Sequence, residues 1–186
     1  MQDIIPLKIF NFFFESPYKE AYLRELSKKL KLSPFAVKKY LDWFVKEGLI
    51  LEERKANLRY FKANINNLFF RHLKIAFSIK LIMKSGLISY LKENISNTSS
   101  ITLFGSTAKG EDDKESDIDI LIIGKNKYTD THKFREKTGK EINLHIFSWG
   151  EWNEKAKKDS PFYYEVISSG IKLHGELPIV KLKSKQ

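Results

Sequence analysis

The chain contains no cysteine, so it can form neither disulfides nor thiolate metal sites. That absence fits a reducing compartment. A long uncharged apolar run is also missing. The most apolar stretch, Leu68 to Leu91, is interrupted by Arg71, Lys74, Lys80 and Lys84. No segment is therefore expected to span a bilayer. Met1-Gln2-Asp3 carries no basic n-region and no small-residue cleavage site, so no signal peptide is expected. Disorder is expected only in the basic tail, residues 181–186. Together these absences predict a soluble cytoplasmic protein that does not engage a membrane.

What the chain does have is positive charge, unevenly placed. The net charge of its 186 residues is +10. Residues 1–95 hold 18 Lys and Arg against 9 Asp and Glu, whereas residues 96–186 are nearly balanced, 15 against 14. A basic first half points to a polyanionic partner, most simply nucleic acid.

Apolar residues at helical spacing, Ile5, Ile9, Phe10 and Phe13, predict a first helix over Ile4 to Phe14. "ESPYKE" breaks it. Leu23, Leu26 and Leu30 predict a second helix. Ser33 is a good N-cap and Pro34 suits the first position of a third helix lined by Val37, Leu41, Phe44 and Val45 and stopped at Gly48. "LILEER" and "RYFKAN" then read as strands around a turn at Lys55-Ala56-Asn57. With "LSPFAVKKYLDWFVKEGLILEER" as its centre, this succession resembles the winged helix-turn-helix family of DNA-binding modules. The resemblance implies a third helix in the major groove, presenting Ser33, Phe35, Lys38, Lys39 and Asp42, and a wing whose Arg54, Lys55 and Arg59 meet phosphates. The same fold also serves protein interaction and dimerisation.

"NNLFFRHLKIAFSIKLIMKSGLISYLKENI" reads as a long helix with a weak point at Ser85-Gly86. It is apolar on most sides, with a thin basic stripe at Arg71, Lys74 and Lys84. Such a helix must be covered on most sides, which predicts burial between domains and a homodimer contact. His72 reads as a structural histidine.

In the second half "NTSS" reads as a loop and "ITLFG" as a buried strand ending at a Gly105-Ser106 turn. The acidic loop "EDDKE" and a second strand, "SDIDILII", follow. Alternation puts Asp117, Asp119 and Leu121 on one face, with Ile118, Ile120 and Ile122 supplying the core from the other. The two carboxylates would lie about 6–7 Å apart, a separation suited to a divalent cation with hard oxygen ligands, Mg²⁺ or Mn²⁺. Gly105 allows close backbone approach, the following amides and the Ser106 hydroxyl can cradle phosphate, and Lys109 adds charge.

"GSTAKGEDDKESDIDILI" resembles the signature of the DNA polymerase β nucleotidyltransferase superfamily, and within it the minimal nucleotidyltransferases. Lys109 stands where Arg is commoner, and Ser116 matches the Ser before the Asp-x-Asp. The resemblance implies transfer of NMP from an NTP with two-metal catalysis, and a third carboxylate on a later strand, "GKEINLHIFSW". Asn143 stands at that position. Glu141 can substitute if the register differs by two, and His145 shares the same face. The minimal branch resembles antitoxins that modify a partner toxin, which implies a partner protein as a possible acceptor. Asp130, Asp159, Trp149 and Trp152 read as surface or packing. A short helix from Pro161 and a strand from Ile171 to His174 close the chain.

The expected fold is α/β (α+β): a winged helix-turn-helix domain at 1–65, a linker helix at 66–95, a nucleotidyltransferase-like domain at 96–180 with a mixed sheet and flanking helices, and a tail at 181–186. The expected function is Mg²⁺-dependent nucleotidyl transfer to an unknown acceptor, coupled to DNA binding. The alternative is a transcriptional regulator whose degenerate transferase fold only binds nucleotide or mediates dimerisation.

Overall fold

The computed structural model describes residues 4–125, 129–158 and 161–181. The expectations for Met1-Gln2-Asp3, for Asp159 and for the tail beyond Lys181 lie outside the described residues. The fold is mixed α/β, and the chain divides into two compact units, Met1–Lys74 and Ile75–Gln186. The cut falls inside the segment expected to be a separate linker.

In the first unit α1 (Ile5–Glu15) buries Ile9, Phe10, Phe12, Phe13 and Phe14. The "ESPYKE" break is followed by β1 (Ala21–Tyr22), a two-residue strand too short to show periodicity. α2 (Leu23–Leu30) ends on Lys31 in the left-handed conformation. α3 (Pro34–Lys46) starts where Ser33 accepts a hydrogen bond from the Ala36 amide, 3.2 Å, with Pro34 at the first position. Gly48, at φ +69°, turns the chain so that the Leu49 amide reaches the Phe44 carbonyl, 2.9 Å. β2 (Ile50–Lys55) and β3 (Leu58–Ala63) form an antiparallel hairpin, and β1 pairs with β3 to give the order β1-β3-β2. Phe10 packs on Phe44 at 4.0 Å and Phe14 on Phe70 at 5.3 Å between ring centroids, and Val37 and Leu41 of α3 are wholly buried.

Phe70 lies on α4 (Leu68–Ser85), whose first turn is capped by Asn67. One expectation for this helix is corrected: Lys74, placed in the thin basic stripe, is buried. His72 is exposed, with Nδ1 2.8 Å from the Leu68 carbonyl oxygen. The helix breaks at Gly86, φ +82°, where the Ser85 hydroxyl accepts from the Leu87 amide and starts α5 (Leu87–Asn94). Among the described residues no helix is long and apolar enough to cross a membrane.

The second unit continues with β4 (Ser96–Phe104), α6 (Gly105–Lys109), β5 (Ile118–Lys125), α7 (His132–Thr138), β6 (Ile142–Phe147), α8 (Trp149–Lys157), α9 (Pro161–Ser169) and β7 (Ile171–Gly175). The sheet order is β6-β5-β4-β7. β5 and β6 are parallel, and the other pairs are antiparallel. "NTSS" is not a loop. It extends β4 through an irregularity between Ser96 and Ser100, with Asn97 at φ +55°. The sheet is covered on both faces. Ile118, Ile120 and Ile122 pack with α5 and Phe134 of α7 on one side. Leu121 and Ile123 pack with Trp152 of α8 and with Tyr163 and Val166 of α9 on the other. A strand with neighbours on both edges and helices over both faces reads as a continuous apolar run, and "ILII" is one.

Candidate active site

Asp119 interrupts that run at its head. Across the sheet it sits in one row, between Phe104 on β4 and Asn143 on β6. Asp119, Leu121 and Ile123 share a face by strand alternation, and the face is covered from Leu121 onward. The carboxylate of Asp119 therefore stands where the helical cover begins, only half-buried.

Its surroundings are closely fitted. Asn143 Nδ2 donates to Asp119 Oδ1 at 3.0 Å, and His145 Nε2 lies 3.9 Å from the same oxygen. Gly105, at φ +72°, comes so near that an added Cβ would stand 2.5 Å from Asp119 Oδ2. Only glycine fits there on both counts. Burial pushes the Asp119 pKa up. The Asn143 hydrogen bond and the His145 charge oppose the rise, and the charges of Asp117 and Glu165 add to it. A carboxylate held against its own ionisation suits a cation.

Asp117 lies one residue outside β5, on the exposed end of the preceding loop. This corrects the expectation that both aspartates are strand residues. The Asp117 carbonyl accepts from Thr107 Oγ1, 3.3 Å, which ties the loop end to α6. The Gly105-Ser106 turn is itself the first turn of α6, closed by Gly110 at φ +69°. Its last residue, Lys109, donates to Glu165 Oε1 of α9 at 2.6 Å.

The remaining expected residues are placed less centrally. The Ser116 hydroxyl donates to Asp113 Oδ1 at 2.8 Å inside the loop, and Asp113 also accepts from the Glu115 and Ser116 amides. Glu141 precedes β6 and holds Arg135 at 2.5 Å, with His132 Nδ1 at 3.8 Å. Asn143 and His145 are the β6 side chains that reach Asp119.

Three features carry no local signal in the sequence. Asp112, in the acidic loop, is buried against Lys140 in a close ion pair. His145 packs among Phe104 and Phe162, all three ring-centroid separations being 5.2–5.3 Å. Glu165 approaches Lys109 from 56 residues away, and no local pattern signals such a contact. Trp152 is wholly buried, and α8 is opened by a capping box between Ser148 and Glu151. The Ser-x-x-Glu spacing of "SWGE" is a readable signal for that start.

Asp117 and Asp119 offer hard oxygen donors. Among the described residues no group of three or more His, Cys, Asp or Glu side chains is arranged to hold a metal. Asp117 and Asp119 are the side chains that could hold a hard divalent ion here.

In the first unit Ser33, the cap of α3, and Phe35, Lys38 and Lys39 on it are exposed, Phe35 at 80%. Asp42 joins Lys38 at 3.0 Å and Arg59 at 2.6 Å. Arg59 also holds Glu52 at 2.6 Å, Lys55 holds Glu20 at 2.5 Å and Glu53 at 3.4 Å, and Arg54 lies 3.7 Å from Glu52. Each hairpin cation named as a phosphate contact thus has a carboxylate partner on its own unit.

The second unit is a mixed sheet that presents an aspartate at the head of its parallel pair, backed by a glycine-started helical turn. Residues 84–172, just under half of the chain, match the family model described as Nucleotidyltransferase domain. The match spans every second-unit site residue from Gly105 to Glu165. Two solved structures are similar at 22% sequence identity. One is a toxin–antitoxin crystallised with AMP-PNP, with a TM-score of 0.35 over 48% of this chain and 71% of that one. The other is a point mutant of the toxin–antitoxin MntA–HpeT, with a TM-score of 0.34 over 50% of this chain and 72% of that one. No curated protein matches.

Proposed function

We propose that the second unit binds a nucleoside triphosphate with a divalent cation and transfers its nucleotidyl group to a hydroxyl acceptor, the acceptor oxygen losing its proton and bonding to the α-phosphorus as the α–β phosphoanhydride breaks and pyrophosphate leaves. The observation that carries this reading is the row Phe104–Asp119–Asn143 with Gly105 pressed against the Asp119 carboxylate, inside the segment that matches the nucleotidyltransferase family. Asp117 and Asp119 are the metal-holding residues. A Mg²⁺ or Mn²⁺ ion bound there would supply charge neutralisation for the triphosphate and a polarised acceptor oxygen. Gly105 lets phosphate oxygens approach the backbone beside Ser106. Lys109 supplies a positive charge at the end of the same helical turn. Asn143 fixes the Asp119 carboxylate by its hydrogen bond and cannot take a proton.

Asn143 also favours a second reading. A site without a carboxylate at that position can hold nucleotide while lacking a base for the acceptor hydroxyl. The unit would then sense nucleotide rather than turn it over.

For the first unit we infer a winged helix-turn-helix module that binds DNA. The order α1-β1-α2-α3-β2-β3, the exposed Ser33, Phe35, Lys38 and Lys39, and the excess of basic residues support it. Phosphate contact by Arg54, Lys55 or Arg59 requires exchange of a protein carboxylate for a phosphate. A homodimer through the helical segment at 66–95 and a partner protein as acceptor belong to the same proposal.

Calorimetry of ATP and GTP, with and without Mg²⁺, on the wild type and Asp119→Asn tests the central part. Metal-dependent binding that disappears in the variant supports a working site. No binding of any nucleotide refutes it.

A further inference from the structure

We propose that Glu165 sets the phosphate affinity of the site by competing for Lys109, an inference that rests on the nucleotide-binding reading. Lys109 ends α6, whose first residue touches Asp119. Its ammonium is 2.6 Å from Glu165 Oε1, and both side chains are more than a third exposed, at 37% and 39%. An ion pair this open is weak and exchangeable. A phosphate oxygen that reached Lys109 would replace one anion with another.

Glu165 does not reach Lys109 by chance of a long side chain. α9 lays one of its faces along the site. Phe162, one turn earlier, packs on His145 and Phe104. The Ser169 hydroxyl donates to the Glu165 backbone carbonyl at 2.8 Å. Gly170 then closes the helix against β4, where an added Cβ would meet Thr102 Cγ2 at 2.8 Å. The helix that carries Glu165 is thus fixed at both ends against the strand that leads into Gly105.

Two consequences follow. Lys109 is held neutralised until a phosphate arrives, and Glu165 adds a negative charge near Asp117 and Asp119. Glu165 therefore disfavours polyphosphate that comes without its cation. It acts as a specificity-determining residue for the metal–phosphate complex over the bare polyanion.

The test uses inorganic tripolyphosphate as the probe, on the full chain, by calorimetry with and without Mg²⁺. Glu165→Gln keeps the side-chain shape and an acceptor for Lys109 while removing the charge. The expected result is tighter binding by about two- to fivefold, the worth of an exposed ion pair. The gain should be larger without Mg²⁺ and should shrink at 1 M salt. Lys109→Met should weaken binding, and Glu165→Gln should add little in that background. A purely structural role for Glu165 predicts weaker binding and a lower melting temperature in Glu165→Gln. Unchanged or weaker binding beside a wild type that binds overturns the competition alone. If wild type and Glu165→Gln both fail to bind tripolyphosphate, the competition is overturned; if both also fail to bind ATP with Mg²⁺, the nucleotide reading falls with it.

Discussion

Gly105→Ala perturbs the site by a single methyl group, and its cost can be worked from the structure. The methyl would stand 2.5 Å from Asp119 Oδ2 and 3.3 Å from Asp119 Cγ. Ordinary contact requires about 1 Å more. Either the start of α6 withdraws or the Asp119 side chain rotates and gives up its 3.0 Å hydrogen bond from Asn143. Backbone strain at φ +72° adds about 1–2 kcal/mol for a residue with a Cβ, and a displaced rotamer about 0.5–1.5 kcal/mol. The expected loss is about 2–3 kcal/mol, or about 4–12 °C in melting temperature for a chain of this size. Gly139→Ala is the control. Its φ is +77°, but nothing lies within 4 Å of an added Cβ, so it bears the backbone strain alone. Differential scanning calorimetry should rank Gly105→Ala below Gly139→Ala. Titration with MgATP should show at least about a tenfold weakening in Gly105→Ala, about 1.4 kcal/mol, and none in Gly139→Ala. Equal melting temperatures together with wild-type affinity in Gly105→Ala would refute the close Gly105–Asp119 fit as the basis of the site.

Asp119→Asn should melt at a higher temperature than the wild type without ligand while losing metal-dependent nucleotide binding, because it removes a charge that burial and the neighbouring carboxylates disfavour. A lower melting temperature would contradict that electrostatic picture. Asp112→Ala strands Lys140 beside a buried position and should cost about 3–5 kcal/mol in urea unfolding, whereas Asp112→Leu with Lys140→Met should recover much of the loss. A double variant no better than the single one would show the pair to be more than a charge match. Acid should weaken the first unit in a defined window. The Arg59 hydrogen bond lowers the Glu52 pKa; burial works to raise that of Asp42, but hydrogen bonds from Arg59 and then Lys38 outweigh it. Carboxylates lowered in the fold add stability above their unfolded values, about 4, and lose it as pH falls through the folded ones. Unfolding free energy of the wild type should therefore fall below about pH 4, and more steeply than in Arg59→Met, which removes the shared partner. Parallel pH profiles would rule out Arg59 as the source.

Residues whose structure depends on near neighbours were legible. Ser33-Pro34 starts α3, Gly86 breaks the long helical segment, and Asp119 opens a run of apolar strand residues. The Gly-Ser and Asp-x-Asp stretches belong to this class, since a turn and a strand bring them together within fifteen residues of chain. What escaped depends on distant partners. Asp112 and Lys140 are 28 residues apart and meet only in the fold, and Glu165 reaches Lys109 only because α9 returns over the sheet. Which helices cover Leu121 and Ile123 is not readable locally, because they follow much later in the chain. β1 is two residues long and exists only as a partner of β3. The hairpin cations, expected to meet phosphates, are held by Glu52 and Glu53 within the hairpin and by Glu20 and Asp42 from other elements.

The most direct test of the central claim is a crystal of the full chain grown with Mn²⁺ and a non-hydrolysable ATP analogue, with anomalous scattering used to place the metal. The prediction is a manganese peak about 2.1 Å from carboxylate oxygens of both Asp117 and Asp119, with phosphate oxygens completing its coordination beside Gly105 and Ser106. A nucleotide bound elsewhere on the chain, or a metal that leaves Asp119 without contact, would contradict it.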